Sequence, residues 1–305
     1  MHSIPISVRT CRNRIGAFAF VLLVSCFVCL PAGNIRSQTL YADLFVGGSN
    51  YQGELKDKHI TTHGMRLAFG GGMTYASDDR FAVSLSYTRG MLGGSDSHNA
   101  SYFTRRRNLH FDTELQELSF TGRVNLTVSR ETAFVPYLMA GLAAFRVDPF
   151  TTDELGMRYH LFPLSTEGQG LPQYPEKPAQ RNFNLSLPMG GGVEVRLTRA
   201  LRMDLELAFR KTFTDHIDDV SGSYPDENLL LSHNGFKAVE LSYRADELPG
   251  GDPFYPVEGT GRGNPKTKDW YYFLKLGFRY PIFTRTYRYD RIKYIIRGPD
   301  WPYRF

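Results

Sequence analysis

Phe183-Asn184-Leu185-Ser186-Leu187-Pro188-Met189-Gly190-Gly191-Gly192-Val193-Glu194-Val195-Arg196-Leu197 changes character at every step. Phe183, Leu185, Leu187, Met189, Gly191, Val193, Val195 and Leu197 share one parity, while Asn184, Ser186, Pro188, Gly190, Gly192, Glu194 and Arg196 share the other. Successive side chains of a strand point to opposite faces, so this stretch predicts a long strand with one apolar and one polar face. A helix would bring the apolar positions round every three or four residues, and nothing here does so.

The same alternation recurs on both sides of that stretch. Met65–Tyr75, Phe81–Thr88, Glu117–Leu126, Leu201–Arg210 and Trp270–Tyr280 each put apolar or aromatic residues at every second position. Leu40–Gly48 alternates more weakly, and Val135–Val147 is apolar on both faces. The count is eight strands of about 9–15 residues, the length of tilted strands that cross an outer membrane. Lipid offers no partner to an open sheet edge, so such a sheet has to close on itself. The predicted fold is therefore all-β: an eight-stranded antiparallel transmembrane β-barrel.

Connection lengths agree with strand parity. Residues 49–62, 92–112, 148–182 and 214–268 are long and polar, whereas 76–80, 127–133 and 198–200 are short. Outer-membrane barrels have short periplasmic turns and long extracellular loops. With the N-terminus inside, every long connection falls on the outer side. The mid-strand runs Gly70-Gly71-Gly72 and Gly190-Gly191-Gly192 predict curvature or close backbone approach. A phosphate-cradling reading needs a helix after the glycines, and none is predicted.

The ends of the chain differ from the middle. Residues 1–38 predict a signal peptide: Arg9, Arg12 and Arg14 precede a run of about fourteen apolar residues, Ala17–Leu30, too short for a membrane helix. Cleavage is expected between Ala32 and Gln38, and Leu23-Val24-Ser25-Cys26 loosely fits a lipoprotein box. All three cysteines, Cys11, Cys26 and Cys29, lie in this segment, so no disulfide or thiolate chemistry is expected beyond it. Removing the segment takes four arginines and no acid, leaving 32 basic and 31 acidic residues. The basic pI near 9.0 thus carries no case for nucleic-acid binding. A mean hydropathy of −0.33 excludes a helical membrane protein but suits a barrel, whose lumen and loops are polar. The barrel is expected over residues 39–281. Residues 282–305 form a periplasmic tail in which six Lys/Arg face two Asp among interleaved aromatics. Arg285, Arg288, Arg291, Lys293, Arg297, Trp301 and Tyr303 are the candidate partner contacts, because arginine and large aromatics dominate protein interfaces.

Candidate chemistry is sparse. An eight-stranded lumen is filled by side chains, and its expected filling is a charge network of Asp43, Arg66, Glu117, Arg123, Glu194, Arg196, Arg202, Asp204, Glu206, Arg210, Lys275 and Arg279. Charges are costly toward lipid and tolerable toward one another. His59 and His63 have helical metal spacing but lie in a loop. The run Thr214–Ser221 offers Asp215, Asp218 and Asp219 to a divalent cation, or Ser221, His216 and an Asp to acyl transfer. A single short segment rarely builds a triad, so loop architecture is the expected role, with no metal, no cofactor and no enzymatic activity. Arg105-Arg106-Arg107 could meet lipopolysaccharide phosphates or stand solvated.

Several stretches resemble the PorG-type outer-membrane proteins of the type IX secretion system. They are Tyr51-Gln52-Gly53-Glu54-Leu55; Pro163-Leu164-Ser165-Thr166-Glu167-Gly168-Gln169-Gly170; and Thr212–Asp215 with Asp218-Asp219-Val220-Ser221-Gly222. Pro136-Tyr137-Leu138 and Asp269-Trp270-Tyr271 fit as well. The resemblance implies a barrel that docks periplasmic ring proteins of the secretion machinery, in some relatives linked to gliding, without catalytic residues. Outer-membrane lipid and those ring proteins are the expected partners, with no nucleic acid and no small-molecule substrate. A small barrel for ligand uptake or surface adhesion through its outer loops is the alternative.

Overall fold

A computed structural model describes residues 38–56, 64–128, 133–198 and 200–285. The signal segment, His59, His63 and the tail beyond Arg285 lie outside the described residues.

Eight long strands form the wall: β1 (Gln38–Gln52), β2 (Arg66–Ala76), β3 (Phe81–Ser95), β4 (His110–Asn125), β5 (Phe134–Thr152), β7 (Phe183–Arg196), β8 (Arg202–Thr212) and β9 (Trp270–Arg285). A short β6 (Arg158–His160) pairs only with the end of β5. Neighbours follow the order β4-β3-β2-β1-β9-β8-β7-β5, and a β4–β5 ladder completes the ring. The first and last strands pair antiparallel from Gln38↔Arg285 to Gln52↔Trp270, with a bulge between Leu40 and Tyr41. No edge of the eight-stranded wall is left open, as a sheet in lipid requires.

Alternation sets the two faces. Leu44 (70% exposed), Leu67, Met73, Leu85, Leu138, Leu142, Leu185 and Leu205 point outward, as do Phe134, Phe183 and Tyr280. Among the described residues no helix is long and apolar enough to cross a membrane. The apolar surface is carried by strands.

The structure differs from the sequence expectation in three respects. β1, β3, β4 and β5 run past the predicted strand ends into the outer loops, because cross-strand pairing continues as long as both partners stay extended. β9 continues through Ile282, Phe283 and Thr284 to Arg285, past residue 282, the expected start of the tail. The long connections also hold three short helices, α1 (Tyr102–Arg107), α2 (Glu227–Asn234) and α3 (Phe236–Ser242). Ser101 and Asp226 cap α1 and α2 through side-chain acceptors. Strand periodicity in the wall gives no warning of such turns.

The mid-strand glycines sit where the wall needs them. A Cβ on Gly190 would run into the Leu207 carbonyl and lie 2.6 Å from the Ala208 Cα. At Gly122 the nearest atom would be 3.8 Å away. Gly190→Val is expected to abolish the compact, heat-modifiable band seen for refolded barrels on unboiled gels, since overpacking costs about 1–3 kcal/mol before any strand shift. Gly122→Ala, with room to spare, is expected to keep that band at wild-type intensity.

Candidate functional site

The lumen is filled by charge at the short-turn end and at mid-height. Glu194 on β7 accepts from three guanidiniums: Arg123 at 2.9 Å, Arg202 at 2.9 Å and Arg279 at 3.0 Å. Arg279 also approaches Asp43 (3.4 Å) and Asp204 (3.5 Å). Higher up, Arg210 forms a two-pronged pair with Glu117 at 3.1 and 3.2 Å, and the Tyr271 hydroxyl donates to the same carboxylate at 2.7 Å. Lys275 lies 4.0 Å from Glu206, and the Tyr137 hydroxyl donates to Glu206 at 3.1 Å. Ten of the twelve expected lumen charges therefore meet in these two groups. The remaining two sit elsewhere. Arg66, 49% exposed, stands at the mouth and pairs with Asp112 at 2.8 Å. Arg196 is half-buried at the opposite end of β7, across from Arg202. Between the groups lies a cavity of about 50 Å³ lined by Asp43, Thr74, Ser86, Thr121 and Lys275 among others, enough for water but not for cargo.

Above the charges the mouth is stoppered by apolar side chains. Leu92, Phe111, Leu115, Phe145 and Phe273 from the wall pack with Leu55, Ile217 and Val220 from the connections. The loop after β8 thus dips into the barrel mouth. Its anchors are polar and buried. Arg262 donates to Glu167 (3.1 Å), to the Asp219 carbonyl (2.6 Å) and to the Ser242 carbonyl (3.2 Å). Glu167 accepts from the amides of Ser221 (2.9 Å) and Gly222 (2.8 Å). Arg107 is held by Asp96 through two contacts of 2.7 Å. Arg105 donates to the carbonyls of Asn99 and Ala100, and Arg106 to that of Gly250. All three arginines of α1 are thus engaged in loop architecture.

In a second cluster no ion pair with lysine, arginine or histidine is formed among the described residues. Tyr51 donates to Asp218 at 2.5 Å and approaches Asp269 at 3.2 Å. Asp218 accepts from the Val220 amide and Asp269 from the Ile217 amide, both at 2.9 Å. Glu54 accepts from Thr267 at 3.1 Å. Burial, reinforced by neighbouring carboxylates, pushes Glu54 up to about 7 and holds Asp218 and Asp269 well above the usual carboxylate range. Asp215 is raised to about 6 by burial, and burial lowers His216 to about 4.

The expected Thr214–Ser221 run therefore divides. Ser221 donates directly to Asp215 at 2.7 Å with no imidazole between them, so the Ser/His/Asp relay is not assembled. Asp219 turns to Thr166 (2.5 Å), away from the Asp218 group. Glu54 and Asp269, which join Asp218, were not among the candidates. Their signal was present but diffuse: both fall in stretches singled out only for their resemblance to a family.

Residues 20–158, which take in β1 to β5, match the model of a family described as a domain of unknown function (DUF6089). No curated protein matches. Among solved structures, Neisserial surface protein A is similar at 11% identity and a TM-score of 0.40, over 80% of this chain and 97% of that one. Ail, the attachment invasion locus protein of Yersinia pestis, is similar at 10% identity and 0.38, over 81% and 99%. The N-terminal β-barrel domain of Pseudomonas aeruginosa OprF follows at 13% and 0.32, over 80% and 98%.

Removing the carboxylate at the centre of three guanidiniums leaves buried positive charge without compensation. Glu194→Gln is expected to lower unfolding stability by about 3–5 kcal/mol, read as a drop in the urea midpoint in lipid vesicles. Arg89→Ala, which breaks an exposed pair with Glu114 at 3.1 Å, is expected to change it by less than about 0.5 kcal/mol.

Proposed function

We propose that this chain is a non-enzymatic outer-membrane barrel that serves a protein-secretion machinery of the type IX kind by contact and not by conduction. The observation that carries the reading is the pairing of an outward apolar belt with a sealed lumen. A belt of leucines and aromatics over half exposed in water far exceeds the apolar patch a soluble protein tolerates, and it suits lipid. The wall encloses Glu194 and Glu117 with their arginines, under a plug of Phe111, Phe145 and Phe273. A transported polypeptide has no way through such a filling, so a part in export has to be played at the surfaces.

The short-turn end is the docking face in this reading, oriented to the periplasm by the export segment at the N-terminus. β9 delivers Arg285 there, and Arg288, Arg291, Lys293, Arg297, Trp301 and Tyr303 follow in sequence. Arginine and aromatic side chains are the usual anchors of a protein contact, and periplasmic ring proteins are the proposed partner. A gliding role would use the same contact.

The alternative, surface adhesion or ligand uptake, draws support from the other end. Phe103 is 85% exposed and Phe254 78% exposed on a cap fastened by buried ion pairs, which leaves apolar anchors on a stiff platform.

Two measurements test the reading. Planar bilayers holding the refolded barrel are expected to stay silent, and steady large conductance would contradict a sealed lumen. Reversing charge at Arg288, Arg291, Lys293 and Arg297 together is expected to abolish co-purification of periplasmic proteins and cut cargo secretion at least tenfold, with the barrel still heat-modifiable. Undiminished secretion and co-purification, alongside lost surface binding in cap variants such as Phe103→Ala, would favour adhesion.

A further inference from the structure

Six of the buried acids among the described residues have cationic partners. Glu117 has Arg210, Glu194 has Arg123, Arg202 and Arg279, Glu167 has Arg262, and Asp96 has Arg107. Glu54, Asp215, Asp218, Asp219 and Asp269 break that pattern: among the described residues none of the five is ion-paired with lysine, arginine or histidine, and Arg107, Lys268 and Arg262 act on Asp218, Asp215 and Asp219 only from a longer range. Asp215, Asp218 and Asp269 are 2%, 1% and 0% exposed.

Their geometry is that of a cage. Glu54, Asp218 and Asp269 each bring one carboxylate oxygen within 4.8 Å of the other two. Oxygens on a common calcium ion, each about 2.3–2.6 Å from it, are at most about 5 Å apart. Two buried oxygens, Oε2 of Glu54 and Oδ1 of Asp215, have no hydrogen-bond partner. The Asp215 charge acts on both Glu54 and Asp269 from outside the set of three close oxygens. Gly53 closes the cluster from the backbone side, because a Cβ there would collide with the Tyr51 hydroxyl and the Asp269 carboxylate.

The ligands come from three separate parts of the chain. Glu54 follows β1, Asp269 precedes β9, and Asp218 belongs to the connection that lowers Ile217 and Val220 into the mouth. We propose that Glu54, Asp218 and Asp269 bind one calcium ion, which fastens the plug-forming loop to the seam between the first and last strands. Burying this much negative charge without a counter-ion is unfavourable, and a hard divalent cation satisfies several carboxylate oxygens at once. The role is independent of docking at the opposite end, so either proposal can fail without the other.

Terbium reports on such a site, since Tyr51 touches two of its carboxylates and Trp270 is next to Asp269. Full-length barrel, refolded in lipid and stripped with chelator, is expected to sensitise Tb³⁺ emission on excitation near ~280 nm, with saturation at one ion per chain and displacement by Ca²⁺. Extracellular calcium sites work at about 10⁻⁴–10⁻³ M, and Glu54→Gln and Asp218→Asn are each expected to weaken Ca²⁺ displacement at least tenfold. Asp252→Asn, an exposed acid on the same cap, is expected to leave it unchanged. Should Asp218→Asn lose the heat-modifiable band, Glu54→Gln alone decides, since its side chain is only partly buried at the cage edge. Absence of saturable emission and of Ca²⁺ binding up to about 10 mM overturns the site and leaves shared protons as the stabiliser. Equal affinity in wild type and the folded variants overturns it too, by sending the ion elsewhere.

Discussion

Every backbone amide and carbonyl in the wall must find a partner without help from water, and closure of the strand ladder is the solution this chain adopts. The β1–β9 and β4–β5 ladders turn what would be a strip with two raw edges into a ring. The other features follow from the small radius of that ring. Eight strands leave an interior no wider than the side chains that point into it. At Gly190, against Leu207 and Ala208 of β8, a side chain does not fit at all.

What fills the rest is decided by dielectric. A carboxylate inside the ring is desolvated whether or not it has a partner, so the stable arrangement surrounds each acid with enough guanidinium to offset that cost. Glu194 with Arg123, Arg202 and Arg279 is the densest instance, and the two-pronged Arg210–Glu117 pair is the best aligned. Replacing such a set by hydrocarbon would be tolerable only if the small polar residues around the cavity, Thr74, Ser86 and Thr121, changed with it.

The outer connections do not merely link strands. They bring their own apolar residues, Leu55, Ile217 and Val220, down onto Phe111, Phe145 and Phe273, and they pin themselves with buried polar contacts centred on Arg262 and Arg107. The result is a barrel blocked twice, by charge in the middle and hydrocarbon at the mouth. Cap and wall share residues: Tyr51 and Tyr271 belong to strands yet sit in the same core as the loop side chains. Rigidity in the cap and integrity of the seam are therefore coupled through the same few contacts.

Much of this was legible in the chain before any coordinates. Period-two alternation in Phe183–Leu197 and its relatives assigned the strands and the face each residue takes, because side-chain direction in a strand is local geometry. The long-short rhythm of connections indicated which end carries the loops. Sequence also nominated the lumen charges, since Glu194 and Arg279 occupy inward parity by simple counting. Tertiary structure alone decided who meets whom. Parity does not say that Glu194 gathers three arginines or that Arg66 ends at the mouth with Asp112, because both depend on strand register and stagger around the ring. Nor does it place Glu54 and Asp269 beside Asp218, residues more than 160 and 50 positions apart. Local chemistry is written residue by residue, whereas proximity between distant carboxylates exists only once the ring has closed and the loop has folded into its mouth.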